Sequence, residues 1–423
     1  GEWLARRRVV ITGLGVVAPN GIGKDAFWQS LIAGKSAVDY IRAFDPSPYP
    51  CKVAAEVRDF VPGDFIRPSQ ARTMGRFAQF AVAAARLAVD DAGLSEVRLP
   101  PAAVCLGTAV HGIGDLGVPA HLDFLSRGWT SIGRSVGLEV TAHAATAHVQ
   151  QELRIHGPML TIASACCTGI DVIAWGAEQI RSRGLNVAFV GAAEAPVSQF
   201  VFSLFLAGGF LSTWTGPPEN ASRPYDLQRC GLVLAEGGAV LVLEDLSHAL
   251  ARGARIYAEV GGYASVSEVN TQNSEERYVE ALRESIVRAL TASQIDSCDL
   301  DYICAHGNAT KFDDRAEAKA HRAAFGVHAY RMPVSSIKSM IGQPFAASGV
   351  LQAAATALAI HHSVVPPTIN YEFPDPFCDL DYVPNKARVA RLRHALVHTH
   401  SLGGSVSGSH SALVLSKPVC NPT

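Results

Sequence analysis

The chain has 423 residues, 48% of them hydrophobic and 17% charged, with a formal net charge of −2. That size and make-up can bury one large core or two joined ones, and the near-neutral balance excludes the basic footprint of a nucleic-acid-binding protein. Nine cysteines without regular spacing and without a C-x-x-C pair argue for a reducing, cytoplasmic setting rather than a disulfide framework, and no metal or cofactor is expected. Every apolar run is interrupted before membrane-spanning length, so no membrane partner is expected.

In chain order, Arg8–Gly15 reads as a buried strand entering a glycine turn. The stretch GLGVVAPNG fails the G-x-G-x-x-G spacing, and Pro19-Asn20-Gly21 breaks the helix that would hold a pyrophosphate, so a dinucleotide site is rejected. Lys24–Ala33 is a short helix, residues 43–64 form a proline-rich loop, and Gln70–Asp91 is a long alanine-rich helix ended by Gly93. Ala102–Gly107 is a strand, residues 112–140 form an insertion with short helices, and Ala142–Leu153 is a helix. Asn186–Ala195 is a buried strand ending at Glu194, Phe200–Phe210 is helical, and Gly237–Glu244 and Ile256–Gly262 are strands. The linker Asp245–Gly253 marks a boundary, giving halves of residues 1–248 and 249–423. The second half repeats the pattern: a helix at Glu275–Leu290, a strand at Leu300–Ala305, a helix at Asp313–Phe325, a strand at Val334–Ile337 and an all-apolar helix at Ala346–Ala359. A strand at His394–His400, a Gly/Ser loop and a strand at Ser411–Leu415 close the chain. Alternating strands and helices, with strands apolar on both faces, predict an α/β fold.

The stretch Thr161–Gly169, TIASACCTG, joins a short β-prone run to a helix whose apolar residues recur up to Gly184. Its thiol therefore falls near a helix N-terminus, where free N–H groups and the positive dipole end favour a thiolate. Most free cysteines are simply small buried residues, and Cys167 is read that way. Cys166 is different because two further strand ends carry reactive groups, His306 and Lys338. Ligands of open α/β sheets meet the chain just beyond strand ends, and a cysteine with a sequence-distant histidine is the arrangement of thiol nucleophilic catalysis.

Nearly end to end, the chain resembles the β-ketoacyl-acyl-carrier-protein synthases of fatty-acid and type II polyketide pathways. The resemblance is carried by RRVVITGLGVVAPNG, by SACCTG at Ser164–Gly169, by VGAAEA at 190–195 and by RPYDLQRCGLVLAEGGAVLVLE at 223–244. It continues through AHGNATKFDDRAEAKA at 305–320 and KSMIGQPFAASG at 338–349. It implies a thiolase-like five-layered fold of two related α/β halves, paired as a homodimer or with a ketosynthase-like partner. Cys166 would take an acyl chain from acyl-carrier protein, and malonyl-carrier protein would be the second substrate. The backbone N–H groups of Cys166 and Val406 would bind the oxyanion, His306 would stabilise the enolate left by CO2 loss, and Lys338 would support the polar network with Glu317.

Two positions depart from the family pattern. Where a second histidine is usual, the chain has Gln343, whose amide donates a neutral hydrogen bond, roughly half as strong as a charge-assisted one. Where a phenylalanine gates the pocket, the chain has Val406, aligned from the firmer SALVL side, or Gly404, aligned from Ser401. Arg67 and Arg72, with Arg76 nearby, are candidate contacts for an acidic carrier protein or a solvated helix face. The expected activity is decarboxylative Claisen condensation. A non-elongating acyltransferase and a chain-length-factor-like partner subunit are the alternatives; the intact Cys166 speaks against the last.

Overall fold

In this computed structural model residues 7–95, 98–269, 274–403 and 407–419 are described. Ten principal strands run in one sheet: β1 (Val9–Ala18), β2 (Ala102–Gly107), β3 (Met159–Ile162), β4 (Val187–Glu194), β5 (Gly237–Asp245), β6 (Ala258–Val269), β7 (Tyr302–Cys304), β8 (Val334–Ser335), β9 (His394–Gly403) and β10 (Ser407–Ser416). Their spatial order is β8-β7-β9-β10-β6-β1-β5-β4-β2-β3. Read outward from the β1–β6 junction, both halves have the same topology. In each, the first strand pairs antiparallel to the fifth, the fifth antiparallel to the fourth, and the fourth, second and third run parallel. The halves join where Val9–Ile11 of β1 pairs with Ala258–Val260 of β6.

Six helices complete five layers: α1 (Arg76–Asp91), α2 (His143–Leu153), α3 (Thr168–Arg183), α4 (Glu275–Ala292), α5 (Lys311–Phe325) and α6 (Ser348–His362). Helices α1 and α2 cover the outer face of the first half-sheet, and α4 and α5 that of the second. Between the half-sheets lie α3 and α6, in one apolar cluster with both. α6 is buried along Ser348–Ile360, as its sequence predicts. The two central helices cross backbone to backbone at Gly169 and Gly349. A Cβ on Gly169 would lie 2.5 Å from the Val350 nitrogen, and one on Gly349 would lie 2.6 Å from the Ile170 nitrogen. Gly15 does the same for α1 on β1, its absent Cβ falling 1.8 Å from the Ala84 carbonyl oxygen.

Four expectations change in extent or type. The helix placed at Gln70–Asp91 begins at Arg76, because Gly75 is extended (ψ 150°), leaving Pro68–Ala71 as a separate turn. The linker at Asp245–Gly253 contains a helix, Leu246–Ala251, capped by the Asp245 side chain accepting from the His248 N–H. The strand placed at Ile256–Gly262 runs on to Val269, and its SVSEV segment pairs with β10. Much of the late Gly/Ser loop is hairpin, paired from His394 with Ser416 up to Gly403 with Ser407.

Candidate active site

Cys166 sits on the turn between β3 and α3. Ala165 adopts the left-handed conformation (φ 50°), and Ala165–Cys167 form a single 3-10 turn before α3 starts at Thr168. The turn is clamped at its base: the Ser164 N–H donates to Thr168 Oγ1 at 2.9 Å, and the Ser164 hydroxyl to Asp171 at 2.5 Å. A strained turn held this way presents its side chain outward at a helix N-terminus. Cys166 is half-buried, at the edge of an apolar cluster that includes Phe202, Leu232 and Phe345. Burial pushes its thiol up to about 12, against the opposing pull of the Lys338 cation. Cys167 is fully buried, its sulfur 3.5 Å from the carbonyls of Thr399 and Ser409, as expected of a core residue.

His306 follows β7 and Lys338 follows β8; both are buried. Lys338 Nζ lies 2.9 Å from His306 Nδ1 and donates to the His306 carbonyl at 2.7 Å. The backbone N–H of His400 also donates to Nδ1, at 3.3 Å. Asn308 Nδ2 lies 3.4 Å from His306 Nε2, a longer contact than those on the other ring nitrogen, so the two donors on Nδ1 put the imidazole proton on Nε2. Burial first, then the Lys338 charge, holds His306 well below its ordinary value, so the ring is neutral. Burial also brings Lys338 down to about 8, while Cys166 and Glu317 favour its charge. Glu317 accepts from the Tyr225 hydroxyl and, at 3.0 Å, from the Gly307 N–H. Burial and the neighbouring Asp314 push it up to about 8.

Gln343 is buried beside the second internal turn, Phe345–Ala347. Phe345 is left-handed (φ 47°), so this turn before α6 repeats the Ala165–Cys167 turn before α3. The two turns pack together, and the Cys166 turn also packs on β9, the strand of His400. The Gln343 backbone pairs with Val233 and Ala235, and its Oε1 accepts from the Ser348 hydroxyl at 2.5 Å. That bond fixes the orientation of the amide, with Oε1 toward Ser348 and the NH2 group on the other side. The sequence reading passed over Glu194 as chemistry. It is buried at the end of β4 and accepts from Thr108 Oγ1 and from the backbones of Ala109, Val110 and Ala346, tying both halves together at the site.

Val406 and Gly404 lie outside the described residues. Arg67 and Arg72 are exposed beside the Pro68–Ala71 turn. Arg76 is part of the fold: it bonds Glu236 at 2.7 and 3.0 Å and lies over the Phe80 ring. Sequence reasoning also missed a polar group behind His306. Asn308 donates to Asp313, Asp313 lies 3.7 Å from His400 Nδ1, and His400 and His410 both approach Glu268. The signal was the alternation in VHTHS and SGSHS, which puts histidines on one strand face. Among the described residues no helix is long and apolar enough to cross a membrane.

Two copies of one five-stranded unit about a pair of buried helices, with a thiol at the end of one of them, define a thiolase-like acyl-transferring enzyme. The chain belongs to the β-ketoacyl synthase family, matching the family's N-terminal domain over residues 6–249 and its C-terminal domain over 257–372. It is 41% identical to the tetracenomycin polyketide synthase ketoacyl synthase alpha subunit of Streptomyces glaucescens, over 98% of each chain. It is 37% identical to the 3-oxoacyl-[acyl-carrier-protein] synthase 2 of Coxiella burnetii, over 98% of this chain and 99% of that protein. The ishigamide ketosynthase/chain length factor superposes with a TM-score of 0.88 at 35% identity, over 98% of this chain and 100% of that one. A type II polyketide ketosynthase solved with its acyl-carrier protein and bound to the hexaketide superposes equally well, at 32% identity, over 97% and 100% of the two chains.

Proposed function

We propose that the protein is an elongating ketosynthase that loads an acyl chain from acyl-carrier protein onto Cys166 and condenses it with malonyl-carrier protein in a type II pathway. The observation that carries this reading is the buried Lys338–His306 pair, 2.9 Å apart, with the Lys338 charge acting on a thiol held on a strained turn. In the first step Cys166 Sγ attacks the thioester carbonyl carbon; the acyl–sulfur bond to the carrier breaks, and the thiol proton ends on the departing carrier thiol. The dipole end of α3 supports charge at the sulfur and oxyanion. The apolar cluster beside Cys166 suits an acyl chain.

In the second step malonyl-carrier protein loses CO2. His306, through Nε2–H, and Gln343, through its amide N–H, donate to the thioester oxygen on which the enolate charge gathers. The enolate carbon attacks the acyl carbonyl, the bond to Cys166 breaks, and the released thiolate takes up one proton. Exposed Arg67 and Arg72 are the proposed carrier-protein contacts. Pairing with a second ketosynthase-like chain fits the sheet edge at β3, where Met159 and Leu160 are exposed. The two functional halves are residues 1–248 and 249–423. The eight described cysteines are free, which supports a cytoplasmic setting.

The test is intact-mass analysis after mixing with acyl- and malonyl-carrier protein and any partner subunit. An acyl adduct lost in Cys166→Ala, together with CO2 release and a β-ketoacyl product, is expected. An adduct without CO2 selects the non-elongating acyltransferase instead.

A further inference from the structure

Glu268, His400 and His410 lie on three adjacent strands. His400 of β9 stands directly opposite His410 of β10, and His410 directly opposite Val266 of β6. Opposed residues share a sheet face and successive pairs along a strand alternate, so Glu268, two residues past Val266, joins both histidines on one face. All three are buried, with His400 4% exposed and the others less. Glu268 Oε2 lies 3.0 Å from His410 Nε2 and 3.2 Å from His400 Nε2.

We propose that Glu268, His400 and His410 bind one divalent transition-metal ion of the zinc type. Two imidazoles and a carboxylate are a borderline N/O donor set that suits zinc. Ligand atoms bound at 2.0–2.2 Å in a tetrahedron stand about 3.3–3.5 Å apart, so the three side chains need only small shifts to enclose an ion. Although buried and close to Glu268, His400 Nε2 has no aligned hydrogen bond among the described residues. Residue 408 is glycine, which lets β9 and the two ligand side chains approach closely: a Cβ there would lie 2.9 Å from the Ser401 carbonyl oxygen, 3.0 Å from His400 Nε2 and 3.3 Å from Glu268 Oε2.

The surroundings complete the fit. Asp313 Oδ2, held by Asn308 at 2.7 Å, faces His400 Nδ1 at 3.7 Å, the outer-carboxylate position that orients a ligating histidine. Glu268 and Asp313 together balance a divalent charge. Tyr278 packs on both imidazole rings, and its buried hydroxyl has no partner among the described residues. Two neighbouring groupings of the same residue types do not fit. In the His306–Asp313–His400 group, His306 Nδ1 already faces Lys338 and the His400 N–H. In the Glu317–His321–His398 group, Glu317 is committed to Tyr225 and Gly307 and feels the Lys338 cation. The site lies behind His306, whose Nδ1 accepts from the His400 N–H at 3.3 Å, and joins the ends of β6, β9 and β10.

The probe is Co2+, added to tag-free, chelator-stripped full-length protein whose accessible thiols have been alkylated. One Co2+ per chain is expected, with visible d–d bands of a four-coordinate N/O site that Zn2+ displaces. His410→Ala and Glu268→Gln should weaken binding on the order of 100-fold or more, and Asp313→Asn by about 10- to 100-fold. Glu268→Gln, which keeps the side chain's size and removes only its charge, decides the question if His410→Ala fails to fold, provided its circular-dichroism spectrum is unchanged. No stoichiometric uptake at millimolar Co2+, or uptake unaltered in the folded variants, overturns the proposal.

Discussion

Lys338 reaches His306 twice, 2.9 Å from its ring Nδ1 and 2.7 Å from its carbonyl oxygen. The pair follows two parallel neighbouring strands, β7 and β8, so sheet register sets their spacing. Lys338 therefore acts on His306 by fixing its tautomer, and on Cys166 by its charge.

Burial holds Lys338 at about 8 in the fold, below its ordinary 10.5. A base depressed by folding binds fewer protons folded than unfolded between those two values, so its contribution to stability rises with pH across that window. The effect on Cys166 is opposite: above about pH 8 the thiol loses its cationic neighbour. Lys338→Ala should raise the apparent pKa of Cys166 by about one unit while Lys338 is charged, slowing iodoacetamide alkylation about tenfold at pH 7. An alkylation profile identical to wild type would remove Lys338 from this role.

Gln343 should act as a neutral, fixed donor. Losing a whole oxyanion donor costs about 10²–10³ in rate. Gln343→Ala should lower CO2 release from malonyl-carrier protein within that bound while leaving acylation intact, and Gln343→His should raise it. Ser348→Ala frees the amide to rotate and should slow CO2 release by about fivefold, the worth of one ordinary hydrogen bond. Stopped-flow CO2 detection separates these outcomes.

The nucleophile turn, the His306 and Lys338 strand ends and the alternation of elements were legible because each is a local pattern: a β-prone run, then small residues, then a helical period. The doubled topology was legible only as a repeat of element types. Identical strand order in the halves is a property of non-local pairing, which periodicity does not carry. The same limit hid the Glu268–His400–His410 face. The alternation was visible in each strand, but the register that sets His400 against His410 exists only between strands. The helix start at Arg76 was missed because an extended Gly75 and a separate turn share the composition of a longer helix.

Cys166 and Cys167 are adjacent but face different surroundings. Cys166→Ala should abolish the acyl adduct. Cys167→Ala should keep it and cost about 1 kcal/mol of stability, as a small buried truncation does. Intact-mass and urea-unfolding measurements on the two variants distinguish them.

At the helix crossing the two halves meet backbone to backbone. Gly169→Ala places a methyl group 2.5 Å from the Val350 nitrogen, where backbone rather than a flexible side chain must yield. It should cost about 1–3 kcal/mol or more, read as a lowered urea midpoint, and should slow acylation by displacing the start of α3.

The most direct test of the central claim measures both half-reactions in one sample: wild-type protein with any partner subunit, acyl-carrier protein and 13C-malonyl-carrier protein, followed by intact mass and 13CO2 release. An acyl adduct should form on Cys166, then disappear as CO2 and β-ketoacyl-carrier protein accumulate in equal amounts. A stable adduct on Cys166 with no CO2 would contradict it.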